Sequence, residues 1–395
     1  MRVVVAGAGI GGLAAALALA RSGHDVTVCE QSAEPGEVGA GIQVSPNARR
    51  VLDHLGLEGE FDAVATHPAR IVVRRWQDDR ELRVTPLGDR FRDRFGHHYA
   101  NVARPDLVGV LAAAVGGESG VVLRTGTKVT GADTLDDGSA VARLGDGTEI
   151  TADVVVGADG IHSRVRTSMW GGDNARFSGS IAYRMLIPRG KVAHLPVETT
   201  NRLGPDGHIV TYFVGRGQSH LNVVAITAED EWDRESWNEP ADPDEMRSRF
   251  TGWSDTVRGI LDCADGGVFR WALHDREPMT GWGRGAVTLL GDACHPMLPF
   301  MAQGACQAIE DAAVLANCLE GVDAPGPAVH AALHRYENLR RERTARVQRQ
   351  SWENRIVYHL PDGPEQQARD AAFAGAGGGA PMDWLYDHDP LSVGT

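Results

Sequence analysis

The chain has 395 residues, 42% of them apolar, with a formal net charge of −14 and five cysteines. That length predicts two domains sharing an interface. The acidic balance argues against a nucleic-acid partner, which would require a basic stripe.

An odd, irregularly spaced cysteine set predicts reduced thiols, with Cys294 and Cys306 buried. The apolar N-terminus is broken by Gly-rich turns and carries no small-residue cleavage site, so no signal peptide is expected. No apolar run has the length of a membrane span. The expectation is a cytoplasmic protein without membrane partners.

Arg2 to Ala6 is a β-branched run that predicts a buried strand. The Ala/Leu-rich Gly11–Arg21 predicts a helix, and Asp25–Glu30 a second strand. Gly7-Ala8-Gly9-Ile10-Gly11-Gly12 falls in the intervening turn, where tight bending and close backbone approach require glycine. Gly7, Gly9 and Gly12 then aim backbone amides and a helix N-terminus at a pyrophosphate. Glu30, at the end of the second strand, is placed to hold ribose hydroxyls.

Residues 46–57 predict a helix, 69–84 strands, and Pro105–Val115 another helix. Turn signals at Asp136-Asp137-Gly138 and Gly145-Asp146-Gly147 predict an antiparallel ribbon within 121–156. Val154–Val156 reads as a buried strand running into Gly157-Ala158-Asp159-Gly160-Ile161-His162-Ser163-Arg164. From about 175 to 270, alternating strands (181–187, 208–214, 220–226, 268–273) and one helix near 243–262 predict a sheet-rich insertion. Val287–Leu290 predicts a strand ending at Gly291-Asp292, followed by a helix over Gln303–Leu319 and a long charged one over Ala328–Tyr358. Ala374–Ala380 reads as a Gly/Ala linker. Met382-Asp383-Trp384-Leu385-Tyr386 is aromatic enough to dock.

Asp159 and Asp292 each follow a buried strand in a glycine turn. Either could be an ordinary helix-capping Asp. Their recurrence after the Gly7–Gly12 motif argues for FAD over NAD. With Pro86-Leu87-Gly88 and Met301-Ala302-Gln303-Gly304-Ala305-Cys306, these segments resemble the single-component FAD-dependent aromatic hydroxylases, over Met1 to about Leu339. The likeness is greatest to the 6-hydroxynicotinate, 3-hydroxybenzoate and salicylate hydroxylases.

The resemblance implies an α/β fold. A Rossmann-like FAD-binding domain of glutathione-reductase type (1–70, 98–174 and 268–358) would carry an inserted α+β substrate domain (71–97 and 175–267) and a C-terminal tail (359–395). It implies non-covalent FAD, with Asp292 on the ribityl chain and ribose, Asp159 by the FAD and the NAD(P)H route, and Arg104 on the FAD. It also implies that Gly39-Ala40-Gly41-Ile42-Gln43, including Gly41 and Gln43, lies beside the isoalloxazine. Pro299 to Ala305, including Gly304, would flank the pyrimidine edge, where a helix N-terminus stabilises negative charge. No second glycine motif serves a nicotinamide nucleotide, in keeping with NADH or NADPH docking transiently as co-substrate.

In Gly207-His208-Ile209-Val210-Thr211-Tyr212, strand alternation puts His208 and Tyr212 on one face, about 13 Å apart. Alone, that is compatible with a wet sheet face. The resemblance, in which hydroxylases carry His-x-x-x-Tyr here, implies that both are catalytic. Hydroxylation through a flavin C4a-hydroperoxide needs an electron-rich ring, and a near-neutral histidine suits removal of a phenolic proton. His295, inside the Gly-Asp motif, reads as cofactor support or packing, and Arg184 as either a carboxylate binder or a bridging residue.

Two departures bear on substrate. Hydroxynicotinate hydroxylases carry histidines where this chain has Phe300 and Gln43, which favours a benzenoid or modified heteroaromatic ring. The expected partners are a small carboxylated aromatic, O2 and NAD(P)H, with the protein a monomer or homodimer and no metal bound. A flavin dehydrogenase or reductase without oxygen activation and a non-enzymatic flavin sensor are the competing classes.

Overall fold

The computed structural model describes residues 1–33, 41–172, 175–230, 239–264, 267–375 and 382–393. Gly39 and Ala40 of the isoalloxazine loop, and residues 376–380 of the expected linker, lie outside these. A five-stranded parallel sheet runs in the order 287–289, 154–157, 2–6, 25–29, 121–124. Val3, Val4, Val5, Val154, Val155 and Val156 are buried in it, as a sheet covered on both faces demands. The helix Ile10–Arg21 crosses between the first two strands and packs on the helix Gly304–Leu319.

The antiparallel ribbon is three-stranded, Val129–Thr134, Ala140–Leu144 and Glu149–Ala152. Val121–Arg124 does not belong to it but forms the edge of the parallel sheet, beside Val26–Cys29. An eight-stranded sheet runs 239–240, 269–275, 176–188, 220–228, 207–214, 199–204, 70–75, 81–86. Strand Thr199–Gly204 was not predicted; its residues TTNRLG lack a clear apolar alternation. The single helix expected over 243–262 is two, Pro243–Arg249 and Asp255–Asp262. Gly252 at φ +82° turns the chain between them, and the Ser254 hydroxyl caps the second by accepting from Val257 N.

The helix predicted over 46–57 ends at His54, and a short one follows over Glu58–Asp62. The strand Gly41–Val44 pairs with Ala100–Ala103. Helices Asp89–Phe95, Pro364–Gly375 and Asp383–Tyr386 were not predicted, and the second of these takes up residues 374 and 375 of the expected linker. The long helix Pro327–Tyr358 packs on Gly304–Leu319. The final segment docks as expected: Leu385 and Tyr386 are buried with Phe91, Phe95 and Tyr99.

A buried ion network locks these C-terminal helices together. Arg340 donates to Asp311 at 2.7 Å and to Glu310 at 2.5 Å, and Arg343 donates to Glu310 at 2.7 Å. Removing one partner from such a set leaves an uncompensated buried charge. All five cysteines are free; Cys294 and Cys306 are buried, and burial raises both thiol pKa values, Cys306 to about 11. Among the described residues no helix is long and apolar enough to cross a membrane.

Candidate active site

The Gly7–Gly12 turn is built as its glycines require. Gly7 has φ +103°, and a Cβ there would lie 2.5 Å from Ala158 O; one on Gly12 would lie 2.0 Å from Gly7 O. Gly9 is the N-cap of helix Ile10–Arg21 and supplies no side-chain cap, so the helix presents open amides. Gln303 likewise makes no side-chain cap for the helix Gly304–Leu319.

Both helix starts border one cavity of about 920 Å³. Gly9, Gly41, Gln43, Arg104, Asp159, Asp292, Pro299, Gly304 and Ala305 line it. Gly7, Gly12 and Glu30 do not. The Glu30 carboxylate accepts from Ala8 N and Ser32 N, both at 2.8 Å, so it pins the glycine turn. Asp159 accepts from Arg164 N at 2.7 Å and Ser163 Oγ at 2.5 Å, capping the helix Arg164–Trp170 while bordering the cavity.

Asp292 makes no hydrogen bond among the described residues, and its low-dielectric surroundings raise its pKa despite His295 and Arg104. A free carboxylate beside an open helix N-terminus, in a long cavity, suits a dinucleotide with ribose or ribityl hydroxyls. His295 is tied into the core: its Nε2 lies 2.6 Å from Asp311, and its ring lies 5.2 Å from that of Trp282, tilted by 43°.

The floor of this cavity is one face of the eight-stranded sheet. Pairing puts Phe269, Arg184, Val224, Val210, Asn201, Val73 and Arg83 in a single cross-strand row. Arg184 lines the larger cavity, stacked 3.5 Å over Trp271. It makes no ion pair among the described residues, and burial lowers its pKa to about 9.

A second cavity of about 140 Å³ lies at the other end of the row. Arg83, Asn201, Tyr99, Phe300, Tyr358 and Tyr386 are among its lining. Arg83 makes no ion pair among the described residues and rests on the Phe373 ring at 5.0 Å. Asn201 Oδ1 is buried without a partner. Gln43, His208, Val210, Pro299 and Ala302 line both cavities and form the neck between them.

His208 and Tyr212 share the face that alternation predicts, and both line the larger cavity, but only His208 also reaches the smaller one. Tyr212 is tight against Gly41, where a Cβ would lie 2.4 Å from Cε2. Gln43 bridges it towards Tyr99, whose hydroxyl donates to Gln43 Oε1 at 2.6 Å. Burial pushes the Tyr212 pKa upwards.

His208 is 2% exposed, and its Nδ1 lies 2.8 Å from His359 Nε2. Burial first, then His359, holds its pKa well below the ordinary histidine value, so the resting ring is neutral. Arg83, Asn201, Tyr358, His359 and Tyr386 escaped the sequence reading. The aromatic cluster at residues 382–386 was the one visible signal among them.

The profile of the FAD-binding-domain family matches residues 1–351. The chain is 41% identical over 398 residues to a 3-amino-4-hydroxybenzoate 2-monooxygenase of Streptomyces platensis, covering 100% of this chain and 98% of the relative. It is 38% identical over 359 residues to the 6-hydroxynicotinate 3-monooxygenase of Bordetella bronchiseptica, covering 89% and 91%. The crystal structure of Klebsiella pneumoniae HpxO, complexed with FAD and uric acid, superposes with a TM-score of 0.84 at 25% identity, covering 98% and 95%. Family, relatives and site geometry agree: the chain belongs to the FAD-binding-domain family and is an FAD-dependent aromatic monooxygenase.

Proposed function

We propose that the enzyme hydroxylates an amino- or hydroxy-substituted benzoic acid, held in the smaller cavity, with NADH or NADPH as reductant. The observation that carries this reading is the chemistry of the 140 Å³ cavity. It has room for one substituted ring, a cation without an ion pair at one end, and a buried histidine at the other. Arg83 binds the carboxylate. Asn201 Oδ1, otherwise orphaned, accepts from an amino or hydroxyl hydrogen. The backbones of Arg83 and Val210 are three strands, about 14 Å, apart, which leaves a ring's width between the side chains. The 41% identical relative is named for an aminohydroxybenzoate, a molecule with all three groups.

FAD occupies the larger cavity and supplies the redox chemistry that activates O2. Open amides after Gly9 hold its pyrophosphate, Asp292 its hydroxyls, and Arg104, Gly41, Gln43, Pro299, Gly304 and Ala305 line its path. Gly7, Gly12 and Glu30 act one step back, by shaping the turn. The neck at Gln43, His208 and Pro299 is where substrate meets cofactor.

Here His208 removes the ring hydroxyl proton through Nε2, which makes no hydrogen bond among the described residues. The resulting phenolate is the electron-rich form that attack requires. Tyr212 orients the neck through Gln43. Phe300, Met301, Tyr358 and Tyr386 exclude water.

A panel of aromatic acids tests the reading. 3-Amino-4-hydroxybenzoate should accelerate NAD(P)H oxidation with matching O2 uptake and hydroxylated product. Arg83→Gln should keep FAD but raise KM for the acid tenfold or more, since a charged hydrogen bond contributes about 1.5–3 kcal/mol. An unchanged KM, or equal turnover of the corresponding carboxamide by the unaltered enzyme, defeats the carboxylate assignment. NADH oxidation without O2 uptake selects a dehydrogenase instead.

A further inference from the structure

The contact between His208 and His359 is not explained by packing alone. His208 Nδ1 and His359 Nε2 are 2.8 Å apart, so one ring donates to the other. The two rings are 5.1 Å apart, and Phe300 and Tyr358 close the cage at 5.2 and 5.6 Å from His208. His359 sits at the C-cap of the helix Pro327–Tyr358, with its own N–H bonded to Ile356 O. Its ring is therefore delivered to His208 by a rigid element. His359 is half-buried and lines neither cavity, so its exposed edge faces away from the substrate.

We propose that His359 is the second member of a proton relay, taking from His208 Nδ1 a proton each time His208 Nε2 removes one from the substrate's ring hydroxyl. The inference rests on the role given to His208 above. The substrate O–H breaks as His208 Nε2–H forms. His208 Nδ1–H then breaks as His359 Nε2–H forms, and His359 releases its Nδ1 proton to water.

Each ring ends neutral, which the surroundings demand. Burial disfavours an imidazolium on His208. On His359, burial and the nearby Arg355 and Arg369 hold the pKa down to about 4. A buried histidine acting alone would have to store the proton; a pair with one edge outside the cavities need not. His359 is a positioning and relay residue, as it touches His208 and not the substrate.

The test uses the FAD-loaded enzyme and 3-amino-4-hydroxybenzoate. Stopped-flow absorbance follows phenolate formation, and a pH-indicator dye follows proton release. His359→Gln should keep FAD and bind the acid with an unchanged KM, yet slow proton release and kcat roughly tenfold or more. In His359→Gly, added imidazole should restore both rates, a response no packing role predicts. Wild-type proton release in His359→Gln, or no rescue of His359→Gly, overturns the relay. If His208→Gln is defective while His359→Gln is not, the relay fails and the role of His208 stands. If His208→Gln also ionises the acid at the wild-type rate, the underlying reading fails as well.

Discussion

Two carboxylates that look alike in sequence part company at the residue scale. Glu30 is committed to Ala8 N and Ser32 N, whereas Asp292 makes no hydrogen bond among the described residues and borders the larger cavity. Asp292→Ala should therefore weaken FAD retention with little loss of fold stability. The expected cost, about 1.5–3 kcal/mol for a charged hydrogen bond, is ten- to hundredfold in Kd by flavin-fluorescence titration. Glu30→Ala should lower the melting temperature of the FAD-free protein as well, because two backbone donors lose their partner. Equal FAD affinity in Asp292→Ala and the unaltered chain rules out the contact. Gly41 completes the residue picture: its backbone N–H donates to Asn222 Oδ1, and any side chain there collides with Tyr212.

At the scale of elements, the C-terminal segment converts a sheet face into a closed pocket. Tyr386 packs edge-on against Phe91, Phe95 and Tyr99 and lines the smaller cavity. Arg343 holds it by donating to the carbonyls of Trp384 and Leu385. Tyr386→Ala should leave FAD bound but admit water, so the fraction of NAD(P)H consumed that ends as hydrogen peroxide should rise several-fold. Unchanged coupling would mean that the segment does not seal the site.

The same element explains what sequence could and could not reveal. The Gly7–Gly12 turn was legible because its function is local: strand, turn and helix are contiguous. His208 and Tyr212 were legible because one strand sets their spacing. Arg83, Asn201, Tyr358, His359 and Tyr386 come from four separate parts of the chain and meet through pairing of distant strands and docking of a terminal helix. No local periodicity encodes that convergence. The split of 243–262 into two helices was missed for a smaller reason: Gly252 was not taken as a helix stop.

Across the whole molecule, buried histidines set the acid limit of stability. The pKa values of His208, His359 and His388 are held down by burial, the latter two at about 4. In the unfolded chain each titrates near the ordinary value of about 6.5. Between these values the unfolded state binds more protons than the folded one, so stability falls as pH drops below about 6.5. Each such group contributes a slope of up to about 1.4 kcal/mol per pH unit across that window. The carboxylates act lower: Glu310, held down by Arg340 and Arg343, and Asp311, held down by its contacts with His295 and Arg340, lose their contribution only as pH falls below their ordinary range of about 4. Urea unfolding at saturating FAD should therefore show stability level from pH 8 to 7, then declining already between 6.5 and 5, before Glu310 or Asp311 titrates. His359→Gln should flatten part of that decline, since glutamine binds no proton in either state. A stability curve level down to pH 5 in the unaltered protein would show that the histidines are not held neutral by the fold.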